Sequence, residues 1–300
     1  MDDTGSAAAG LTDDIRARVR AIDWYHSIDL GGGIVTPGNP VDRDMLERGL
    51  PDLAGRTVLD IGAWDGFYSF LAERRGAARV VAMDHYAWCV DFHARLEYWQ
   101  ACEAAGELPD HRRDLTDFYR PDTMPGRRGF DLAREVLGSG VEPVVGDFME
   151  VDPSTVGRFD VVLFLGVLYH LREPLTALER IRALTGGVAV IETEAVRVLG
   201  LPGARVLEFH PGGELRADHT NWFVPTEAAL HALCRAAGFG RVETRIGPPS
   251  AGRHLASIAR GLAHRAGLGD SGLAPAQGRA PASSPSPVFE RYRIAVHAYP

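Results

Sequence analysis

The chain has 300 residues, 45% of them hydrophobic and 24% charged, a balance that excludes a wholly disordered protein, a collagen and a miniature disulfide scaffold. Its 40 acidic side chains exceed its 32 basic ones, for a formal net charge of -8, so the long-range field repels polyanions and disfavours a dedicated nucleic-acid binder. All the basic side chains in that count are arginine, which removes lysine Schiff-base chemistry, a P-loop lysine and an ammonium general base together.

Cys89, Cys102 and Cys234 form neither a C-x-x-C pair nor a His/Cys cluster at zinc spacing, so no metal site and a reduced, cytoplasmic setting are expected. Met1 to Gly10 is acidic and rich in small residues, without a basic region followed by an apolar run, and no stretch approaches transmembrane length. Neither secretion nor a membrane partner is expected.

A first helix is predicted from about Thr12 to Ile22, where Thr12 can cap, Asp13 and Asp14 suit the positive end of the dipole, and Leu11, Ile15, Val19 and Ile22 share a face. An irregular segment with Trp24, Tyr25, His26 and Gly31-Gly32-Gly33 follows. From Thr57 onward short apolar runs alternate with helical stretches, the pattern of a parallel sheet with crossover helices. The runs are Val58 to Ile61, Arg79 to Met83, Pro143 to Val145, Val161 to Leu165 and Val188 to Ile191, blocky as in strands covered on both faces. One intervening helix starts near Phe67 and stops at Gly76. Another opens at Pro174 and is expected to stop at Gly186-Gly187. Thr226 to Ala237 reads as the last clear helix. Beyond it, Val242, Thr244 and Ile246 alternate, as do Tyr292, Ile294, Val296 and Ala298, predicting two half-exposed strands that close the sheet as an antiparallel pair. Between them, Arg253 to Leu268 reads as a surface helix with a solvated arginine face, and Asp270 to Pro287, rich in Pro, Ser, Ala and Gly, as a flexible loop.

The most informative segment is Thr57-Val-Leu-Asp-Ile-Gly-Ala-Trp-Asp-Gly-Phe, a buried strand ending in an acid, then a tight turn with Gly62 and Gly66, then a helix. Glycines in such a turn admit a ligand where a Cβ would clash, and the helix start offers unpaired N–H groups. A dinucleotide fingerprint wants G-x-G-x-x-G, which this turn lacks. Asp84 ends the second strand about twenty residues on, where an acid can accept hydrogen bonds from both hydroxyls of a ribose.

This segment resembles the first motif of the class I S-adenosylmethionine (SAM)-dependent methyltransferases, D-x-G-x-G-x-G, at Asp60, Gly62 and Gly66, with Trp64 in place of the middle glycine. The resemblance implies an α/β, Rossmann-like fold, mostly parallel with a C-terminal antiparallel pair, and SAM as cofactor. It also implies that Asp147, in Gly146-Asp147-Phe148 after the third strand, accepts from the adenine amino group while Phe148 lines the base. Gly166-Val-Leu-Tyr-His-Leu-Arg-Glu-Pro is similar more narrowly to the tRNA wobble-uridine carboxymethyltransferases and their relatives, as are Trp24-Tyr25-His26, residues 129–139 and Asn221-Trp222-Phe223-Val224-Pro225. Carboxymethyl-transferring members use a lysine to hold the extra carboxylate of their cofactor, and this chain has none, so methyl transfer is expected.

Domain organisation follows as an N-terminal helix and candidate lid over residues 1–45 and a SAM-binding domain over 46–300 with a flexible insertion at about 248–288. Trp24, Tyr25 and His26 stand either as part of that lid or as packing anchors. Just past the fourth strand, His170 is the expected proton acceptor, or else packs under a helix cap. Tyr169 can line the sulfonium and acceptor. Glu192 and Glu194, after the fifth strand, orient an acceptor or form a solvated strand end. His210, Asp218 and His219 form a polar segment without metal-ligand spacing. A small-molecule acceptor methylated on oxygen or nitrogen is the leading expectation, with tRNA and a non-catalytic SAM-binding role as alternatives.

Overall fold

The computed structural model describes residues 3–198, 200–249 and 289–300. The expected arginine-faced stretch, and all but the first two residues of the expected insertion, lie outside the described residues. The chain divides into two compact units, one formed by Met1–Phe164 with Ala183–Ala189, the other by Leu165–Arg182 with Val190–Pro300.

In the first unit, β1 (Thr57–Ile61), β2 (Arg79–Asp84), β3 (Glu142–Val145) and β4 (Phe159–Leu165) lie in the order β3-β2-β1-β4, followed by the start of β5 (Thr185–Val198). The β1, β2, β3 and β4 pairings are parallel, with Asp60 opposite both Ala82 and Leu163, and Asp84 opposite Val145. Val58, Leu59, Val162, Leu163 and Phe164 are fully buried, as blocky apolar strands with both faces covered must be. Burial of each such side chain contributes about 1.5–3 kcal/mol. The expectation is corrected for β3, the edge strand, which is only partly buried and leaves Val145 exposed.

The helices supply that cover. α1 (Asp3–Arg20) starts earlier than expected, because the alanines at 7–9 have the highest helix propensity and carry it back. Its Arg18 makes a two-pronged ion pair with Glu135 at 2.6 and 2.8 Å. α2 (Phe67–Arg74) follows β1 directly. α3 (Tyr86–Cys89) is one turn after β2, and α4 (Phe92–Ala105) is capped by Asp91, whose carboxylate accepts from the Ala94 N–H at 3.1 Å. α5 (Arg128–Leu137) brings Phe130 onto Phe70 and Trp88, with ring centroids at 5.3 and 5.0 Å. A short α6 (Pro153–Val156) precedes β4.

α7 (Pro174–Leu184) does not stop at Gly186-Gly187; it runs straight into β5, which holds both glycines. Their role is close packing: a Cβ at Gly187 would stand 2.6 Å from the Asp160 carbonyl oxygen.

In the second unit the rest of β5 is followed by β9 (Phe289–Tyr299) and then β8 (Arg241–Ile246) at the edge. β8 and β9 are antiparallel, with Val242 opposite Ala298, Thr244 opposite Val296, and a bulge before Ile246. β8 keeps its alternating exposure. β9 does not, and the half-exposed expectation is corrected there: Ile294, Ala295, Val296 and Ala298 are all fully buried, so residues pointing to both faces of the strand are covered. A small antiparallel sheet of β6 (Leu207–Phe209) and β7 (Phe223–Pro225) was not foreseen. α8 (Glu227–Ala236) is capped by Thr226, whose Oγ1 accepts from the Ala229 N–H.

Candidate functional site

In the first unit the turn after β1 takes left-handed backbone at Gly62 (φ +78°), Trp64 (φ +48°) and Gly66 (φ +84°). Only the glycines adopt it without strain. Gly62 is exposed, and its N–H is anchored on the Met83 carbonyl at 2.9 Å. Gly66 is enclosed, since a Cβ there would come within 2.6 Å of the Phe70 ring.

Trp64, standing where the resembled motif has a glycine, lies with its ring stacked between Tyr25 (4.2 Å, 12°) and Phe92 (5.4 Å, 11°). Its neighbour Asp65, buried at 2% exposure, accepts from the backbone N–H groups of Tyr25 and His26 at 3.0 and 2.6 Å and pairs with His26 Nδ1 at 2.6 Å. Trp24 donates its indole N–H to the Val19 carbonyl. Trp24 is thus tied to the end of α1, and Tyr25 and His26 to the turn after β1. Asp65 was missed in the sequence because its partners lie some forty positions upstream.

The acids divide by surroundings. Asp60 is buried and accepts from Ser69 Oγ at 2.6 Å, so one oxygen faces α2; burial pushes its pKa up to about 6. Asp84 accepts from the Trp64 N–H at 3.0 Å on one oxygen and the Ala87 N–H at 2.9 Å on the other; burial raises its pKa and these bonds oppose the rise. Asp147 follows β3. Its Oδ2 lies 3.4 Å from His85 Nε2 and its Oδ1 accepts from the Met149 N–H; the bond to His85 holds the carboxylate below its usual range. The Gly146 N–H to Asp84 carbonyl bond at 3.2 Å joins the two strand ends. The Tyr119 phenol, its ring centroid 6.0 Å from that of His85, is pushed up to about 12 by burial first, then by its bond to Cys89 and by the charges of Asp147 and Asp84. Both carboxylates therefore lie near the Tyr119 phenol. Phe148 is buried, with its ring on Phe164 at 5.3 Å.

In the second unit, Gly166 (φ +73°) turns the chain after β4 and donates its N–H to the Glu192 carbonyl at 3.0 Å. Tyr169 and Glu192 are brought together through Arg293, which sequence reasoning missed. Its guanidinium grips both oxygens of Glu192 and reaches Glu194 Oε1 and the Tyr169 hydroxyl at 3.2 Å each. Burial works against that charge, but the two glutamates hold the Arg293 pKa well above its ordinary value. Glu194, 2% exposed, also pairs with Arg216 at 2.6 Å, and both acids lie inside β5, which runs on to Val198, so the expected solvated strand end is corrected to a buried, ion-paired stretch of strand. A charge inside the apolar alternation Tyr292, Ile294, Val296 was the available signal for Arg293.

His170 shares a 2.8 Å hydrogen bond between Nδ1 and Thr220 Oγ1, whose hydroxyl donates to Asp218 at 2.6 Å. His210 sits apart from this group, 3.5 Å from Glu208, which also pairs with Arg291 at 2.7 Å. Among the described residues no group of three or more His, Cys, Asp or Glu side chains could hold a metal ion, and no helix is long and apolar enough to cross a membrane.

This sheet, mostly parallel with a C-terminal antiparallel pair, is the Rossmann-like fold of the class I SAM-dependent methyltransferases. The N-terminal domain of EvdMO1, solved in the presence of SAH and D-fucose, shares the fold with a TM-score of 0.54 at 19% identity over 96% of each chain. Residues 41–244 match the family described as Methyltransferase domain, and the chain belongs to that family. Curated relatives include tRNA U34 carboxymethyltransferases of Methylococcus capsulatus, 30% identical over 65% of this chain and 48% of the relative, and of Geobacter sp. strain M21, 27% identical over 64% and 48%. The chain thus spans about half the length of those relatives.

Proposed function

We propose that the chain is a SAM-dependent methyltransferase acting on an oxygen or nitrogen of a small-molecule acceptor. One observation carries this reading: Asp84 and Asp147, at the ends of the paired strands β2 and β3, stand side by side next to the exposed Gly62 turn. An adenosine offers ribose hydroxyls and an amino group as donors, and ionised carboxylates are acceptors only. The residues fit such a ligand. Asp84 uses one acceptor position per oxygen on backbone N–H groups, and a carboxylate has about four in all, so capacity for a ribose diol remains. We assign Asp147 and Phe148 to the base, Gly62 and Gly66 to the turn that admits the cofactor, Trp64 to holding that turn in its stack, and Asp60 to bracing it against α2. Bound there, SAM supplies a methyl group already activated by its sulfonium.

We assign Tyr169 and Glu192, linked by Arg293, to shaping the acceptor site, and His170 to taking the acceptor proton as the acceptor heteroatom bonds to the methyl carbon. The positive charge lost with the sulfonium then resides on the imidazolium. Methyl transfer is favoured over carboxymethyl transfer because the chain has no lysine and Arg293 is already neutralised by Glu192 and Glu194.

The curated relatives favour a second reading, tRNA modification. Against it stands the pairing of the arginine groups that would meet a phosphate backbone: Arg112 with Asp110 at 2.7 Å, Arg113 with Asp117 at 2.6 Å and Arg127 with Asp131 at 3.0 Å. The three cysteines are buried and free, which supports the reduced cytoplasm as its setting. Incubation of the protein with methyl-labelled SAM and separated small-molecule and tRNA fractions of a cell extract tests the choice. Label in the small-molecule fraction is expected; label confined to tRNA overturns it.

A further inference from the structure

We infer that Asp218 and Thr220 are positioning residues that hold His170 as its Nδ1–H tautomer, with the ring's lone pair on Nε2. The argument is a count of protons. Thr220 Oγ1 lies 2.6 Å from Asp218 Oδ1 and 2.8 Å from His170 Nδ1, and a hydroxyl has one hydrogen to give. Asp218, as a carboxylate, has none. If the Thr220 proton pointed at His170, two acceptor oxygens would face each other at 2.6 Å with nothing between them. If it points at Asp218, the contact is an O–H to carboxylate bond of ordinary charge-assisted length. The Thr220 oxygen is then left to accept, and the hydrogen of the second bond must come from His170 Nδ1.

The surroundings hold this order in place. The Thr220 N–H also donates to Asp218 Oδ1 at 2.8 Å, closing a local turn that fixes the carboxylate. Asn221 ties the same loop to Leu215 through a 2.8 Å bond to its carbonyl, and the Trp222 N–H donates to the Tyr169 carbonyl at 2.8 Å, holding the loop to the segment that carries His170. Thr220 is 8% exposed, so solvent competes weakly for its hydroxyl.

The consequence for chemistry rests on the reading of His170 as proton acceptor. An imidazole in water favours the Nε2–H form; this relay selects the other and makes Nε2 the atom that takes the acceptor proton. The imidazolium so formed keeps its Nδ1–H on Thr220, whose hydroxyl passes the stabilising effect of the Asp218 carboxylate to the ring.

The tautomer is measurable without any substrate. Long-range proton–nitrogen NMR of the full-length, nitrogen-15-labelled chain above the ordinary imidazole pKa, with His170 assigned through H170Q, is expected to show Nδ1 protonated and Nε2 bare. Thr220→Ser should keep that pattern, and Thr220→Val should shift it to the Nε2–H form. A wild-type His170 already in the Nε2–H form overturns the inference even if the valine variant cannot be folded, and so does a folded T220V chain with an unchanged pattern. SAH titration of the same wild-type sample separates the two readings: absence of binding would sink the methyltransferase assignment and leave the tautomer result standing.

Discussion

Asp84 and Asp147 in the first unit are held by backbone N–H groups and a histidine, whereas Glu192 and Glu194 in the second are gripped by Arg293 and Arg216. The difference decides what each cluster can offer. Backbone dipoles orient a carboxylate without cancelling its charge, so the first pair keeps acceptor strength for the hydroxyl and amino donors of a ligand. Arginine partners cancel the second pair, so that region presents a polar but nearly neutral surface.

The largest effect is expected at the acid that the protein uses wholly for itself. Asp65→Ala strips the acceptor from two backbone N–H groups and from His26 Nδ1, each an orphan costing about 1–3 kcal/mol when buried. A loss of about 3–5 kcal/mol should lower Tm by about 10 °C, and proteolysis should open the segment near Tyr25. An unchanged Tm with that segment still protected would show that the aromatic stack alone fastens it.

Next comes the arginine on which the second cluster depends. Arg293→Met leaves Glu192 and Glu194 facing each other, and breaking a buried pair costs about 3–5 kcal/mol. Arg293 keeps 36% of its side chain exposed and Glu194 retains Arg216, so about 2–3 kcal/mol is the expected loss in a urea titration. SAH affinity should stay within about twofold if the two clusters serve different ligands, because Asp84 and Asp147 are unchanged.

How much of this was legible along the chain follows the same division. The strand, turn and helix around Asp60, Gly62 and Gly66 are consecutive, and Asp84 and Asp147 end blocky strands, so local pattern was enough to bring them forward. The links of the second cluster join residues far apart in sequence: Arg293 to Glu192 over 101 positions and His170 to Thr220 over 50. No periodicity reports such pairings. The alternation within β9 predicts a half-exposed strand, but whether its second face is covered depends on tertiary packing, which alternation along one strand does not report. The substitution of Trp64 for glycine was visible, but its reason, the stack between Tyr25 and Phe92, was not.

Asp60 gives the comparison a pH axis. Burial raises its pKa to about 6 from an ordinary 3.8, so between those values the folded chain holds a proton that the unfolded chain has released. The native state then binds more protons, and stability falls as pH rises through that window. The shift corresponds to about 3 kcal/mol. Asp60→Asn keeps the shape and an acceptor for Ser69, so the stability of the variant relative to wild type should rise by about 2–3 kcal/mol between pH 4 and pH 7, read from urea midpoints. A constant difference across that range would place the Asp60 carboxylate in a wetter setting than its burial implies.

The smallest effects separate Asp84 from Asp147, and they test the cofactor reading most directly. Asp84→Asn keeps one acceptor oxygen but replaces the other by an amide that must face the Trp64 or Ala87 N–H or the ligand. A hydrogen bond to a charged group is worth about 1.5–3 kcal/mol, so SAH affinity by calorimetry should fall about 10–100-fold. Asp147 is more open, with 33% of its side chain exposed against 6% exposure for Asp84, and water can replace part of what it provides. Asp147→Asn should therefore cost only about 3–10-fold. The order matters more than either number. If Asp147→Asn weakened SAH more than Asp84→Asn, Asp147 would dominate recognition, and Asp84 would be a brace for the Trp64 turn, consumed by its two backbone partners as Asp65 is by its own.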